Sequence, residues 1–238
     1  MGIEYLFRGF GLLNQKGIRK YVYLPILLNV ILLSVSFYWL YQELSGLKAF
    51  LEGFFPSYLS WLADILFPLS LIGVMFFFSL VFTSINNFIA APFNGLLASK
   101  IEQMHLSEAE QAKIPQFKLS EEVGRALTRE WQKMVYYIPR ALFFFVLFMT
   151  IPIVGQLLWL GFIAWMMAVQ YCDYSYDNNG ISFIEMKNEL WRHKADCFSF
   201  GFIVSFLTML PIINLIIAPA AVCGSSLLWV EKHRQSYF

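Results

Sequence analysis

The sequence predicts an all-α integral membrane protein with two long transmembrane helices, two broken helical hairpins that penetrate partway, and an amphipathic surface helix. Of its 238 residues, 58% are hydrophobic and 14% are charged, whereas a soluble domain carries about 25% charged residues. Four apolar segments are long enough for membrane helices. Two of the four are too long for one crossing, and each has a proline near its middle.

Net charge and cysteine usage narrow the possible partners. A net charge of +1 gives no bulk attraction to nucleic acid. The three cysteines, Cys172, Cys197 and Cys223, lack the paired spacing of metal sites and are odd in number, which indicates reduced thiols. We therefore expect no cofactor, no metal and no nucleic-acid partner. No phosphate-binding loop or nucleophile motif indicates an enzyme.

The first two apolar segments are predicted to cross the membrane once each. Residues 21–41 have about the length of one crossing. Residues 61–98 are longer than one crossing needs, which favours a strongly tilted or protruding second helix. Its last part contains Ala91-Pro92-Phe93-Asn94-Gly95, a turn-like sequence that we expect to end or bend the helix.

The third and fourth apolar segments, residues 140–171 and 198–230, are predicted to be hairpins. An unbroken helix of either length would reach about 48 Å, against roughly 30 Å of bilayer hydrocarbon. Pro152 and Pro211 interrupt the two segments near their middles. Broken helices at membrane depth need surrounding protein or a water-filled cavity, so this pattern favours a permeation protein over a simple anchor.

The connector, residues 99–139, is predicted to contain the amphipathic helix. Arg125, Arg129 and Lys133 are four residues apart and would form a basic stripe on one helical face. The first interpretation is a helix at the membrane surface whose basic face contacts lipid phosphates. The second is a basic wall of an anion vestibule.

The distribution of basic residues favours the hairpins. If both broken segments return to their starting side, all 17 Lys and Arg residues except Lys48 lie on one face of the membrane. Basic residues concentrate on the cytoplasmic side. We therefore expect a single membrane domain, residues 1–238, with both termini in the cytoplasm.

Gly17-Ile18-Arg19-Lys20 precedes the first crossing helix and is a candidate anion site. The N–H groups at a helix start and the positive end of the helix dipole attract anions. The guanidinium of Arg19 adds a planar donor fork that matches an oxyanion, and Lys20 adds a point charge. The alternative is a cytoplasmic topology anchor that contacts lipid headgroups.

Amide and carboxylate side chains in or beside the apolar segments also need partners. Asn29, Asn87 and Asn94 either hydrogen-bond between helices or line a wet path for an anion. Asp173 and Asp177 follow the third apolar segment. Carboxylates at the membrane edge carry protons in some transporters, and elsewhere they cap a helix or pair with a base.

Several of these strings resemble the CysZ family of bacterial inner-membrane sulfate permeases. They include Gly17-Ile18-Arg19-Lys20, the run APFNGLLA at 91–98 and the run QYCDY at 170–174. The resemblance implies sulfate uptake for cysteine synthesis, coupled to protons or dependent on pH, by an oligomer. It also implies that Gly17, Ile18 and Arg19 bind sulfate. Lys20 stands where the family often has a second arginine, so the charge is kept without the second bidentate fork.

The leading hypothesis is therefore a channel-like or proton-linked sulfate permease of the inner membrane. Its partners would be sulfate, the lipid bilayer and further copies of itself. Glu130, Asp173 and Asp177 are the candidate proton carriers. The alternatives are a non-transporting membrane scaffold or assembly protein, and a permease for another oxyanion.

Overall fold

The computed structural model describes residues 2–59, 61–112, 114–115 and 119–237. Within this part of the chain the regular structure is helical and no strand occurs. The α-helices in chain order are α1 Gly2–Leu12, α2 Arg19–Phe54, α3 Trp61–His105, α4 Glu108–Gln111, α5 Leu119–Thr150, α6 Val154–Asn178, α7 Phe183–Arg192, α8 Lys194–Thr208 and α9 Pro211–Leu228. A π-helical turn, Trp229–His233, and a 3-10 turn, Arg234–Ser236, follow α9.

Four of these helices are long and apolar enough to cross a membrane. They are α2, α3, the Val123–Thr150 part of α5, and α6. The predicted all-α membrane fold is confirmed. At 1.5 Å per residue, α2 with 36 residues is about 54 Å long, which exceeds the bilayer hydrocarbon thickness.

Helix α3 continues beyond the point where the sequence suggested an end. It runs through Pro92 and Gly95 to His105, so the expected end at residue 98 is wrong. Membrane helices tolerate proline when neighbouring groups satisfy the freed backbone. The carbonyl that Pro92 leaves without a donor is that of Phe88. Beyond the proline, Leu97 and Ala98 are fully buried, and the Asn178 side chain donates to the Gly95 carbonyl over 2.8 Å. Tertiary packing therefore keeps this segment helical.

The predicted surface helix and the first arm of the predicted hairpin are one helix. Helix α5 is 32 residues long and contains Pro139, where the sequence placed a boundary between connector and membrane segment. The prediction of an amphipathic surface helix separate from the membrane segment is therefore wrong. Proline removes one backbone donor and bends a helix, but the long neighbouring helix α6 packs along α5 and supports it.

Helices end beside Pro152 and Pro211, where the sequence predicted breaks. Helices α5 and α6 are separated by Ile151, Pro152 and Ile153. Ile153 has φ +65°, and the Val154 N–H donates to the Pro152 carbonyl over 2.7 Å, which makes a strained γ-turn. Helices α8 and α9 are separated by residues 209–210, and Pro211 occupies the first turn of α9, where proline fits a helix.

The chain forms two compact units, of which the first comprises Met1–Leu24 and Ala90–Phe238. In its core, α6 packs against α5, α8 and α9, while α1 lies across α8 and α9. Gly9 and Gly224 allow the closest crossing, because a Cβ at Gly9 would meet the Ala220 carbonyl and one at Gly224 would meet the Tyr5 carbonyl. Small residues at such crossings are typical of helix packing in membranes.

The second unit, Pro25–Ile89, contains the greater part of α2 and the first part of α3. The two helices contact each other through Phe37 and Phe78, whose ring centroids are 5.5 Å apart. Large apolar side chains such as Val35, Phe76 and Phe77 are exposed. An apolar exterior of this kind is stable in lipid, where burial from water is not required.

Candidate functional site

The Gly17-Ile18-Arg19-Lys20 element forms the turn that leads from α1 into α2. Gly17 has φ +95°, a backbone conformation that a residue with a Cβ rarely adopts. Ile18 is fully buried, while Arg19 and Lys20 are exposed. The buried isoleucine therefore fixes the turn to the protein body and leaves both cationic side chains in contact with solvent.

The guanidinium of Arg19 is oriented by the preceding turn. Its Nε donates to the Asn14 carbonyl over 2.9 Å, and the Tyr23 hydroxyl lies 3.4 Å from Asn14 Oδ1. The two terminal nitrogens of Arg19 are the donors that a bidentate oxyanion would use. Lys20 Nζ lies 4.9 Å from the ring centroid of Tyr21. This arrangement presents two positive charges at the first turn of a long helix.

The basic stripe on α5 faces carboxylates on α6. Arg125 Nε lies 2.9 Å from Asp177 Oδ2, and Arg129 Nε lies 2.8 Å from Asp173 Oδ1. Four residues forward on α5 correspond to four residues back on α6, as expected for antiparallel helices. The midpoint of both pairs along the chain is Ile151, which lies in the break between the helices. The ion pairs therefore agree with the register of the hairpin.

The two ion pairs between α5 and α6 form a ladder. Lys133 and Glu130 extend this ladder into a buried polar network. The Lys133 ammonium contacts the Glu130 carboxylate and lies 3.6 Å from Asp173 Oδ2. The Tyr174 hydroxyl donates to Glu130 Oε1 over 3.1 Å, and the Asn94 amide donates to that hydroxyl over 3.2 Å. Asn94 thereby links α3 to the α5–α6 pair.

The burial of this network contradicts one interpretation of the basic stripe. Arg129 and Lys133 are 8% and 3% exposed, and both contact carboxylates, so the lipid-facing interpretation is wrong for these two residues. A basic stripe of three cations is matched by Glu130, Asp173 and Asp177. The network is therefore electrically neutral when all six groups are charged, unlike an open basic wall.

A small cavity borders the end of the ladder that is formed by Arg125 and Asp177. Its volume is about 30 Å³, and its polar lining comes from Ser99, Arg125, Arg129, Tyr174, Asp177 and Asn178. A cavity of this size accommodates about one water molecule, and a sulfate ion is larger. The Arg125 side chain itself is 23% exposed, so this end of the network is in contact with solvent.

The remaining amide candidates are Asn29 and Asn87. Both lie in the second unit, where Asn29 is partly buried and Asn87 is exposed. Neither amide makes a side-chain hydrogen bond within the described residues. Their assignment to an anion path stays a prediction.

Two polar residues near the end of α3 were missed because the sequence places them in a polar connector. Glu102 is fully buried and accepts a hydrogen bond of 2.7 Å from Asn179, whose amide oxygen accepts one of 3.0 Å from Arg234. Lys100 lies beside Gly17. No local sequence signal indicated either role, because both depend on α3 continuing as a helix past Pro92.

Similarity to known proteins covers nearly the whole chain. Residues 5–219 match the family described as Sulfate transporter CysZ/Etoposide-induced protein 2.4. The chain is 40% identical over 240 residues to the sulfate transporter CysZ of Pectobacterium atrosepticum, covering 98% of this chain and 86% of the relative. It is 42% identical over 240 residues to the sulfate transporter CysZ of Vibrio cholerae serotype O1 strain ATCC 39541, covering 99% and 95%. It is 44% identical over 237 residues to that of strain ATCC 39315, covering 98% and 94%. The resemblance seen in the sequence is confirmed, and the chain belongs to the Sulfate transporter CysZ/Etoposide-induced protein 2.4 family.

Proposed function

We propose that this protein transports sulfate across the bacterial inner membrane and supplies sulfur for cysteine synthesis. The observation that carries the proposal is the near full-length similarity to relatives named sulfate transporters. Four helices able to span a membrane supply the architecture that transport requires. The protein is proposed to act as a transporter and not as an enzyme.

The proposed sulfate site is Gly17, Ile18, Arg19 and Lys20. Its support is the oriented guanidinium of Arg19, whose Nε is bound to a backbone carbonyl, and the exposed charge of Lys20 at the same helix start. Exposed cations at a helix N-terminus attract a dianion through both charge and N–H donors. Sulfate would meet these groups first and then pass toward the α5–α6 network.

Uptake of radiolabelled sulfate into liposomes tests the function and the site together. The purified protein should give uptake above empty liposomes, and Arg19→Ala should remove most of it. Arg140→Ala is the matched control, because Arg140 is also exposed and also donates to a backbone carbonyl, that of Tyr136, over 2.9 Å.

Uptake equal to that of empty liposomes would contradict transport and favour a membrane scaffold. Equal losses in the Arg19 and Arg140 variants would contradict the assigned site. Competition by unlabelled sulfite and molybdate, added to the same assay, separates sulfate from other oxyanions.

The proposal also includes the orientation of the protein in the membrane. We propose that both termini lie in the cytoplasm, since this orientation puts all Lys and Arg residues except Lys48 on that side. Membrane-impermeant thiol labelling should then mark Gln132→Cys and Lys194→Cys from one side and Glu43→Cys from the other. The native cysteines are buried and should stay unlabelled.

A homo-oligomer is proposed, because one chain has few helices with which to surround a path. Chemical crosslinking in native membranes tests this, and a monomer alone would contradict it.

Proton coupling is proposed to involve Glu130, Asp173 and Asp177. Their support is that all three contact the cations of α5, so loss of one negative charge would release a cation toward an anion. An inward proton gradient should stimulate uptake by the unaltered protein. Glu130→Gln should transport without that stimulation, and an unchanged response to the gradient in this variant would contradict the role of Glu130.

A further inference from the structure

Lys100 brings a further positive charge to the turn between α1 and α2. A Cβ built on Gly17 would lie 3.9 Å from Lys100 Cε, so the end of this lysine side chain lies against the open face of the glycine. Gly17 is the first residue of the proposed sulfate site. The lysine comes from α3, more than 80 residues further along the chain.

Both sides of this contact are held by buried residues. On the turn, Ile18 is fully buried and Val22 is 3% exposed. On α3, Leu97, Ala98 and Ile101 flank Lys100 and are fully buried. Packing therefore holds the backbone on each side of this contact, which favours a preorganised site.

The charge of Lys100 is weakly matched within the described residues. Its Nζ lies 3.5 Å from the amide oxygen Oε1 of Gln103, a distance at the weak limit for a hydrogen bond. By contrast, Lys133 contacts two carboxylates, and Lys232 Nζ lies 2.5 Å from Asp196 Oδ2. Within the described residues Lys100 therefore contacts no carboxylate. It lies beside the turn that carries Arg19 and Lys20.

We infer that Lys100 is a further sulfate-binding residue that acts with Arg19 on the same dianion. The inference rests on the proposed sulfate site at Gly17–Lys20. Arg19 provides directed donors, and Lys100 provides a compact charge from a second helix.

Equilibrium binding of radiolabelled sulfate to the full-length protein in detergent tests the inference. Lys100→Gln should raise the Kd about fivefold, the size expected for loss of one partly exposed charge contact. Lys100→Arg keeps the charge and should stay close to the unaltered protein. Lys194→Gln is the matched control, since Lys194 is exposed and lies over the Trp191 ring at 5.5 Å, away from this turn.

Comparing two anions distinguishes a binding role for Lys100 from a structural role. Binding of the monovalent anion nitrate, measured by competition, should fall less than sulfate binding in Lys100→Gln, because a dianion gains more from a second cation. Equal losses for both anions, with a lowered unfolding temperature, would overturn the inference.

The remaining outcomes separate this inference from the proposed function. Normal sulfate binding by Lys100→Gln, together with lost binding by Arg19→Ala, would overturn the role of Lys100 and leave the sulfate site intact. Normal binding by Arg19→Ala, or no binding by the unaltered protein, would overturn both.

Discussion

The ion pair between Arg129 and Asp173 offers the sharpest test of how the α5–α6 hairpin is held together. We expect Asp173→Asn to lower the free energy of unfolding by about 3 kcal/mol, because removing one partner leaves a buried charge uncompensated. The side chains of Arg129 and Asp173 are 9% and 0% exposed. Arg129 would keep its hydrogen bond to the Ile181 carbonyl and its approach to Asp177 at 3.9 Å, which places the loss near the lower end for buried pairs.

The matched control is an exposed pair in the same compact unit. Arg8 and Glu231 are 2.5 Å apart, with side chains 40% and 38% exposed, so Glu231→Gln should cost less than about 1 kcal/mol. Unfolding of each variant by SDS in mixed micelles, followed by tryptophan fluorescence, measures both losses. Costs for Asp173→Asn and Glu231→Gln within 1 kcal/mol of each other would refute the argument from burial.

Three further predictions concern glycines and a buried histidine. Gly155→Val should lower the free energy of unfolding by at least ~2 kcal/mol, since a Cβ there would meet the Leu147 carbonyl. Gly161→Val on the same helix is the control, because Gly161 faces open space. Equal losses of the two variants in SDS unfolding would contradict this prediction. Gly17→Ala should cost about 1 kcal/mol and weaken sulfate binding, because its φ is +95°; unchanged binding would contradict the need for glycine there. Burial lowers the pKa of His233 to about 4 from 6.5. The unfolded chain therefore takes up a proton first as the pH falls, and stability should decrease between about pH 6.5 and pH 4. His233→Gln should flatten that profile of unfolding free energy, and a profile parallel to that of the unaltered protein would rule out His233 as its source.

The predicted breaks and the cationic turn depended on local signals. Pro152 and Pro211 interrupt apolar segments longer than the bilayer requires, and the helices do separate beside both residues. Gly17 and Arg19 were identifiable because a glycine and basic residues precede a long apolar run. Local composition is sufficient for features that depend on neighbouring residues alone.

Proline also led to the two boundary errors. Pro92 and Pro139 lie inside α3 and α5, although they look like helix ends in the sequence. The prolines at the two breaks differ from them because the chain reverses there, and at the first break Gly155 admits the close return past Leu147. Whether a proline breaks a membrane helix is decided by the groups that pack around it.

The ion ladder depended on information that no short window contains. Arg129 and Asp173 are 44 residues apart, and their contact requires the register of the whole hairpin. The four-residue spacing of Arg125 and Arg129 does match that of Asp173 and Asp177. Pairing these two patterns across Pro152 would have predicted neutral pairs in place of an open basic face.

The tight return at the end of the hairpin limits how this part of the protein can move. Ile153 is held at a positive φ, and the space beside Gly155 is closed by the Leu147 carbonyl of the opposite arm, so sliding of one arm past the other would require this tight turn to rearrange. Any rearrangement that opens a route for an ion should therefore move α5 and α6 together as one rigid body. Bending should be confined to the segments that join these two helices to the rest of the chain.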